Sequence, residues 1–334
     1  MKVLKKNIWI ALCAVLLLAA CGDKSGADTS SGSSDKGNGG DGEKYRIGVT
    51  QIVEHDSLNA AFEGFKKAIE DAGLDVTYDV KNAQDKMDLN TTIANDLVNS
   101  DVDLIFANST PSAQAAKSAT DEIPIVFTSV TNAVEAKLVD SNENPGANVT
   151  GTLDNHPEAI PNSLTFMKEE LDVETVGMIY SSGEQNSLVQ VEAVKGLLDG
   201  LDMKIEEVAV ASSAEVKQAA ESLLDRVDAI YIITDNTVVS ALNSVVDVAN
   251  NNELPLIVGE LDSVANGGLA AYGFEYFDIG YEAGEMAVKI LKDGVKPADL
   301  PVQEPQNLIF MVNKETADAI NVTIKDEWNA EVSK

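Results

Sequence analysis

Few residues of this chain can do chemistry, and most of them stand just past short apolar runs. Gln51 to Asp56 closes the run Arg46–Ile52 and contains Glu54-His55-Asp56. Asn108-Ser109-Thr110-Pro111 follows Asp103–Ala107, and Thr128-Ser129-Val130-Thr131-Asn132 closes Pro124–Ser129. Further on, Ser181 to Ser187 (with Glu184 and Asn186) follows Thr175–Tyr180. Thr234-Asp235-Asn236 and Gly259-Glu260 follow Ala229–Thr234 and Leu256–Val258. The earlier groups offer hydroxyls and amides, the later ones carboxylates. Pro111 suits a first helical residue, so the Ser109-Thr110 pair can cap a helix start whose N–H groups receive a carboxylate without Arg or Lys. Asp235 and Glu260 can receive an ammonium through charge-assisted hydrogen bonds, worth about 1.5–3 kcal/mol each. Together they suit a molecule charged at both ends. Simpler roles stand beside these: Ser109 and Thr110 as plain helix caps, Asp235 and Glu260 as caps or solvated loop acids.

A single histidine between two acids is a weak metal signal, and no metal site is expected. No Walker loop, HExxH, GxSxG or GxGxxG stands after a strand pattern. No catalytic residue and no cofactor is therefore expected, and a secreted hydrolase is a remote alternative. Only two cysteines occur; Cys13 lies in the leader described below, which leaves Cys21 alone and excludes an intrachain disulfide, CxxC redox work or a thiolate zinc site. His55 and His156 are the only histidines. The tryptophans, Trp9 and Trp328, offer little for stacking a sugar.

The positioning elements follow from periodicity. Strands are predicted at Arg46–Ile52, Asp75–Val80, Asp103–Ala107 and Pro124–Ser129. A second series is predicted at Thr175–Tyr180, Lys204–Val210, Ala229–Thr234, Leu256–Val258 and Leu269–Tyr272. Helical spacing separates them: Leu58, Phe62, Phe65 and Ile69; Leu89, Ile93 and Leu97; Ser187–Leu198, Ala214–Leu224 and Val238–Ala249. Gly280–Leu291, a strand Leu308–Val312 and a helix Thr316–Ile320 come last. Near-continuous Val/Ile/Leu strands between helices mean parallel sheets covered on both faces, and two such series mean two α/β lobes. The halves also resemble each other. Val102-Asp103-Leu104-Ile105-Phe106 returns as Val227-Asp228-Ala229-Ile230-Tyr231, and Glu122-Ile123-Pro124-Ile125 as Glu253-Leu254-Pro255-Leu256. Ligands of open parallel sheets lie beyond the strands' carboxyl ends, so the chemistry belongs in a cleft between the lobes. Connections are expected to cross between lobes three times, near 151–155, 272–276 and 300–306.

At the N-terminus, Lys2, Lys5 and Lys6 precede an apolar run from Ile8 to Leu18, then Ala19-Ala20-Cys21. This pattern predicts a lipoprotein signal peptide over 1–20, cut before Cys21, whose thiol is then lipidated. Residues 21–44, rich in Gly, Ser and Asp, read as a flexible tether. The formal net charge is −31, and loss of the leader's lysines makes it more negative. Such a surface repels phosphate backbones and argues against nucleic acid. The predicted place is outside the cytoplasm, anchored to the cell membrane by lipid. The long tether and the acidity favour a Gram-positive surface over a periplasm.

Several motifs bring a family into view: Ile47-Gly48-Val49-Thr50-Gln51-Ile52-Val53-Glu54-His55, Thr110-Pro111-Ser112-Ala113-Gln114-Ala115, Pro124-Ile125-Val126-Phe127, Asn148-Val149-Thr150-Gly151, Gly183-Glu184-Gln185-Asn186-Ser187 and Thr234-Asp235-Asn236. From Tyr45 to about Ile324 the chain resembles the substrate-binding lipoproteins of bacterial ABC importers with the periplasmic-binding-protein type I fold, and among them the TrpX-like, tryptophan- and tyrosine-binding group. It departs from that group's pattern at Asp56, where a proline commonly follows the histidine, and at Asn132-Ala133, where an aspartate-proline pair is common. The resemblance implies two Rossmann-like lobes joined by a three-crossing hinge, with lobe one at 45–153 plus 277–306 and lobe two at 154–276 plus 307–334. It implies a monomeric receptor that closes on a small molecule and delivers it to an ABC permease with a cytoplasmic ATPase. An aromatic amino acid is the first expectation; a nucleoside, sugar or small peptide is the alternative. The candidate ligand-binding residues are Gln51, Glu54, Ser109, Thr110, Thr128, Ser129, Thr131, Asn155, Glu184, Asn186, Ser187, Asp235, Asn236 and Glu260, with Tyr180, Tyr272 or Phe274 beside the ligand's side chain.

Overall fold

The computed structural model describes residues 44–333. The expected leader, Cys21 and all of the tether except Lys44 lie outside the described residues.

The first series of apolar runs forms β1 (Lys44–Gln51), β2 (Asp75–Asn82), β3 (Leu104–Asn108), β4 (Ile125–Val130) and β5 (Val149–Leu153). Between them lie α1 (Asp56–Asp71), α2 (Met87–Val98) and α3 (Thr110–Ala119). All five strands are parallel, in the order β2-β1-β3-β4-β5. Alternate residues of β3 serve opposite faces, as the period of two requires. Ile105 and Ala107 pack with Ile93, Leu97, Ala113 and Ala116 of α2 and α3. Leu104 and Phe106 pack with Phe65 and Ile69 of α1 on the other side.

The second series gives α4 (Ala159–Leu171), β6 (Thr175–Ser181), α5 (Gln185–Leu201), β7 (Lys204–Val210), α6 (Val216–Leu223), β8 (Ala229–Ile232), α7 (Asn236–Ser240), α8 (Leu242–Asn251), β9 (Leu256–Val258), α9 (Leu261–Ala265) and β10 (Ala270–Gly273). The chain then runs through α10 (Tyr276–Asp293), β11 (Ile309–Asn313), α11 (Lys314–Ala319) and β12 (Glu331–Ser333). The second sheet is ordered β12-β11-β10-β9-β8-β6-β7, with β11 antiparallel to β10. Without β11 and β12 its wiring repeats that of the first sheet, in line with the internal sequence likeness. This is the expected architecture of two α/β lobes with parallel sheets.

Although α10 follows a strand of lobe two, it packs on lobe one. Its Ala283, Met286, Ala287 and Ile290 join Ile47, Val49 and Phe65 in one core. Glycines allow backbone-close contact with α1. A Cβ on Gly280 would lie 1.9 Å from the Ala61 carbonyl oxygen, and one on Gly64 would lie 2.0 Å from that of Phe277. The chain passes between lobes after Leu153, after Gly273 and again between Leu300 and Ile309. The third passage is stitched to lobe one: Val302 N–H donates to Asn142 O (2.7 Å), Gln303 N–H to Gly151 O (3.0 Å) and Leu153 N–H to Gln303 O (2.8 Å).

Several features differ from the sequence reading, among them the short α9 and β12, which it does not predict. Val238–Ala249 is broken into α7 and α8 at Ala241 (φ −113°, ψ 16°). The β-branched Thr237-Val238-Val239 favours helix weakly, and the Ser240 hydroxyl bonds Thr237 O at 2.8 Å. The segment after Val149 is a full strand, although its Thr-Gly-Thr centre lacks the Val/Ile/Leu signature. Helix α4 was hidden by Pro161, which sits in its first turn, where the missing N–H leaves no bond unmade.

Candidate functional site

The carboxyl ends of both sheets converge on the space between the lobes. In lobe one, Ser109 caps α3, and its Oγ accepts the Ser112 N–H at 3.3 Å. Its backbone (φ 111°, ψ 157°) lies in a region essentially reserved for glycine, and the residue is fully buried. Holding a serine there costs of order 1–3 kcal/mol, and such strain gathers at ligand clamps. Ser129, near the carboxyl end of β4, is also left-handed (φ 57°). Its Oγ donates to Asn108 Oδ1 at 2.9 Å. The Asn108 amide donates in turn to Gln51 Oε1 (3.0 Å) and Leu58 O (2.7 Å), and Gln51 Nε2 donates to Asn59 Oδ1 (3.0 Å). Gln51 and Ser129 thus belong to a buried amide frame under the start of α1. Thr110 is buried with its Oγ1 unpartnered, and so is the Nδ2 of Asn90 on α2. Thr128 turns to the other side, 2.9 Å from Thr152 Oγ1 beside α10.

In lobe two, Asp235 caps α7 and all its bonds are local. Oδ1 accepts the Val238 N–H (2.8 Å); Oδ2 accepts the Ser181 N–H and the Ser187 hydroxyl (2.6 Å each). Burial, with Glu184 nearby, pushes its carboxyl up to about 8. Glu184, at the start of α5, faces Thr237 N–H (3.0 Å), Asn236 Nδ2 (2.5 Å) and Asn186 Nδ2 (3.3 Å). Glu184, Asn186, Ser187, Asp235 and Asn236 therefore form one buried cluster tying α5 to α7. The Oδ1 of Asn186 stays unpartnered.

Where the lobes meet stand two further acids. Asp154, directly past β5, accepts the Thr131 hydroxyl on Oδ1 (3.0 Å) and the Tyr276 hydroxyl on Oδ2 (3.1 Å). Glu260, past β9, accepts the hydroxyls of Ser57 (2.7 Å) from lobe one and Ser263 (3.2 Å), both on Oε2. Its Oε1 lies 3.5 Å from the same Tyr276 hydroxyl. Both carboxyls are buried, and that burial pushes each up to about 7. Among the described residues no lysine or arginine pairs with Asp154, Glu260, Asp235 or Glu184; the ion pairs lie elsewhere. Beside Glu260 opens a cavity of about 190 Å³ lined by Glu54, His55, Ser57, Asn243, Asp262 and Asn266, among others. His55 caps α1, with Nδ1 3.5 Å from Leu58 N and Nε2 3.5 Å from Asn236 Oδ1 across the cleft. Burial lowers its pKa to about 4, so it stands neutral there at physiological pH.

The structure thus gathers Ser109, Thr110, Ser129, Thr131, Glu54 and Glu260 at or beneath the lobe interface, and half-buried Asn155 lies in the first crossing. Tyr180 and Tyr272 lie away from it: Tyr180 is near Glu207 and Lys195, and Tyr272 stacks on Phe310 at 4.2 Å. Phe274 stacks on Tyr276 (5.5 Å) at the second crossing. Sequence reasoning missed Asp154, Tyr276 and Ser57. Asp154 obeys the same past-the-strand rule as its fellows, and it was missed because its strand was. Tyr276 and Ser57 carry no comparable signal.

A family model described as ABC transporter substrate binding protein matches residues 46–334. A tyrosine-binding protein of Clostridioides difficile (strain R20291) is 37% identical over 348 residues, 99% of each chain. The crystal structure of an ABC domain in complex with L-Trp from Streptococcus pneumoniae is 31% identical; the match covers 87% of this chain and 100% of that one with a TM-score of 0.83. The ligand-free, open structure of a substrate binding protein with adhesive properties from Clostridium difficile is 38% identical, covering 87% and 99%, yet its TM-score is 0.65. The neighbour nearer in sequence is the less alike in shape. The present chain, with Ser57 bonded to Glu260 across the cleft, has its lobes together. The chain belongs to the ABC transporter substrate binding protein family.

Proposed function

We propose that this protein is the solute receptor of an ABC importer and that it captures an aromatic amino acid, tyrosine or tryptophan before phenylalanine, between lobes bounded as the sequence suggests. The observation that carries the reading is the pair Asp154 and Glu260, bridged by Tyr276. Two carboxylates buried between lobes without a basic partner are unfavourable alone and are relieved by a bound cation. The α-ammonium of an amino acid supplies that charge. The carboxylate of the same ligand goes to the start of α3, where the Thr110 hydroxyl is free and the helix end is electropositive. The strained Ser109 and Ser129 backbones support a ligand on this side. The C. difficile relative's name and the bound L-Trp of the pneumococcal structure support an aromatic side chain.

Calorimetry tests this. L-tyrosine or L-tryptophan is expected to bind the wild type, and 3-(4-hydroxyphenyl)propionate, which lacks the ammonium, to bind at least thirtyfold more weakly. Equal affinity for the deaminated analogue would remove the acid pair from recognition. The lipid anchor at Cys21, the extracytoplasmic place and delivery to a permease belong to the same proposal. Loss of metabolic palmitate labelling in Cys21→Ser is the expected result for the anchor.

A further inference from the structure

The turn between β2 and α2 reaches across the cleft. Gln84 (φ 52°) and Asp85 (φ 60°) are both left-handed. The turn is fixed to lobe one by Asp85 N–H on Ile52 O (2.8 Å), Lys86 N–H on Ala83 O (3.0 Å) and Gln84 N–H on Asn82 Oδ1 (2.6 Å). Such conformations disfavour side chains, aspartate less than most. The result is a carboxyl held out toward lobe two. There it meets the Ser213 backbone N–H and the Thr237 hydroxyl.

Thr237 Oγ1 lies 2.7 Å from Asp85 Oδ1 and 2.8 Å from Glu184 Oε1. A hydroxyl has one hydrogen to donate. It cannot satisfy two carboxylate oxygens, so one of the two contacts needs a proton on the acid. Glu184 already faces the Thr237 N–H and the Asn236 and Asn186 amides. Asp85 is therefore the group that carries it: its O–H donates to Thr237 Oγ1, which donates to Glu184. We propose that Asp85 is a positioning residue for lobe closure, a latch that engages lobe two through Thr237 only when it holds a proton, so that closure is favoured at lower pH. Burial raises the Asp85 carboxyl in the same direction. The other charged groups nearby are Glu215, beyond Ser213 and bonded to Ala211 N–H (3.0 Å), and the exposed Lys86 on its own turn.

This inference goes beyond the receptor reading and rests on it only for a ligand to follow. Two measurements on the full chain keep them apart. In ligand-free protein, hydrogen exchange of segment 211–217, corrected for the intrinsic pH dependence, should slow at least fivefold as the pH is lowered from 8 to 4. In Asp85→Asn, whose amide donates to Thr237 at every pH, exchange should be slow and unchanging with pH. In Thr237→Val it should be fast and unchanging. With L-tyrosine as probe, the off-rate of the wild type should exceed that of Asp85→Asn about tenfold at pH 8.5, and the ratio should fall toward one as the pH is lowered to 4; a ratio cancels the titration of Asp154 and Glu260. If Asp85→Asn exchanges and releases as the wild type does at every pH, the latch is overturned while the receptor stands. If L-tyrosine fails to bind but exchange keeps its pH dependence, the ligand reading falls and the latch stands.

Discussion

Past β3 of lobe one stands Ser109; at the matching place past β8 of lobe two stands Asp235. Both cap a helix, yet they do so differently. Asp235 has an ordinary extended backbone (φ −110°) and three local donors, so its carboxylate is consumed in holding α5 and α7 together. Ser109 holds a glycine-like backbone and leaves the neighbouring Thr110 hydroxyl unpartnered. At the carboxyl ends of β4 and β9 the contrast reverses: Ser129 is locked into an amide frame, while Glu260 reaches across to the other lobe. Equal wiring therefore does not assign equal roles to equal positions. Each lobe makes one of its two strand-end groups structural and leaves the other to face the cleft.

The largest expected break of this contrast is Asp154→Ala. Truncating one partner of a buried charged contact costs about 2–5 kcal/mol, so L-tyrosine affinity should fall thirtyfold or more by calorimetry. Next is pH. Asp154 and Glu260 titrate near 7 in the fold and near ordinary carboxylate values when unfolded, so the unfolded chain loses its protons first. The contribution of these two groups to ligand-free stability should be full below about pH 4 and fall as pH rises through 7, and Asp154→Asn should flatten part of that slope in thermal melts. Ligand affinity should move oppositely, weakening below pH 7 as the acids protonate. Third, Asp235→Ala should destabilise lobe two by about 2 kcal/mol in urea melts, as expected for a lost cap, and weaken ligand binding less than Asp154→Ala does. The glycine pair gives a smaller contrast. Gly280→Ala forces a Cβ onto the Ala61 carbonyl and should cost about 1–3 kcal/mol. Gly177→Ala in lobe two meets only the ends of Leu223 and Val227 and should cost less. Smallest is Ser109→Gly, which relieves the strained backbone for the loss of a few tenths of a kcal/mol in capping; it should raise stability by about 1 kcal/mol while weakening binding.

Much of the scaffold was legible because strands buried on both faces must be rich in Val, Ile and Leu. Lys204–Val210 and Leu256–Val258 were read to the residue. The site was less legible, for a physical reason. A capping aspartate and a ligand-binding aspartate look alike in sequence; only the donors around Asp235 and the absence of basic partners around Asp154 and Glu260 tell them apart. Those depend on which side chains meet across lobes, and residues such as Ser57 and Glu260, far apart in the chain, carry no periodicity that would announce it.

The third passage between the lobes lies along β5, the border strand of its sheet, and bonds to it through Gln303. An uncovered border strand is a template on which another chain can add itself. Gln303 caps part of that border, and Val302, bonded to Asn142 O, anchors it there. A lobe motion that peeled them off would bare it, so opening by twist within the passage is safer for the protein than opening by detachment, and substitutions that loosen this seam should show first as self-association.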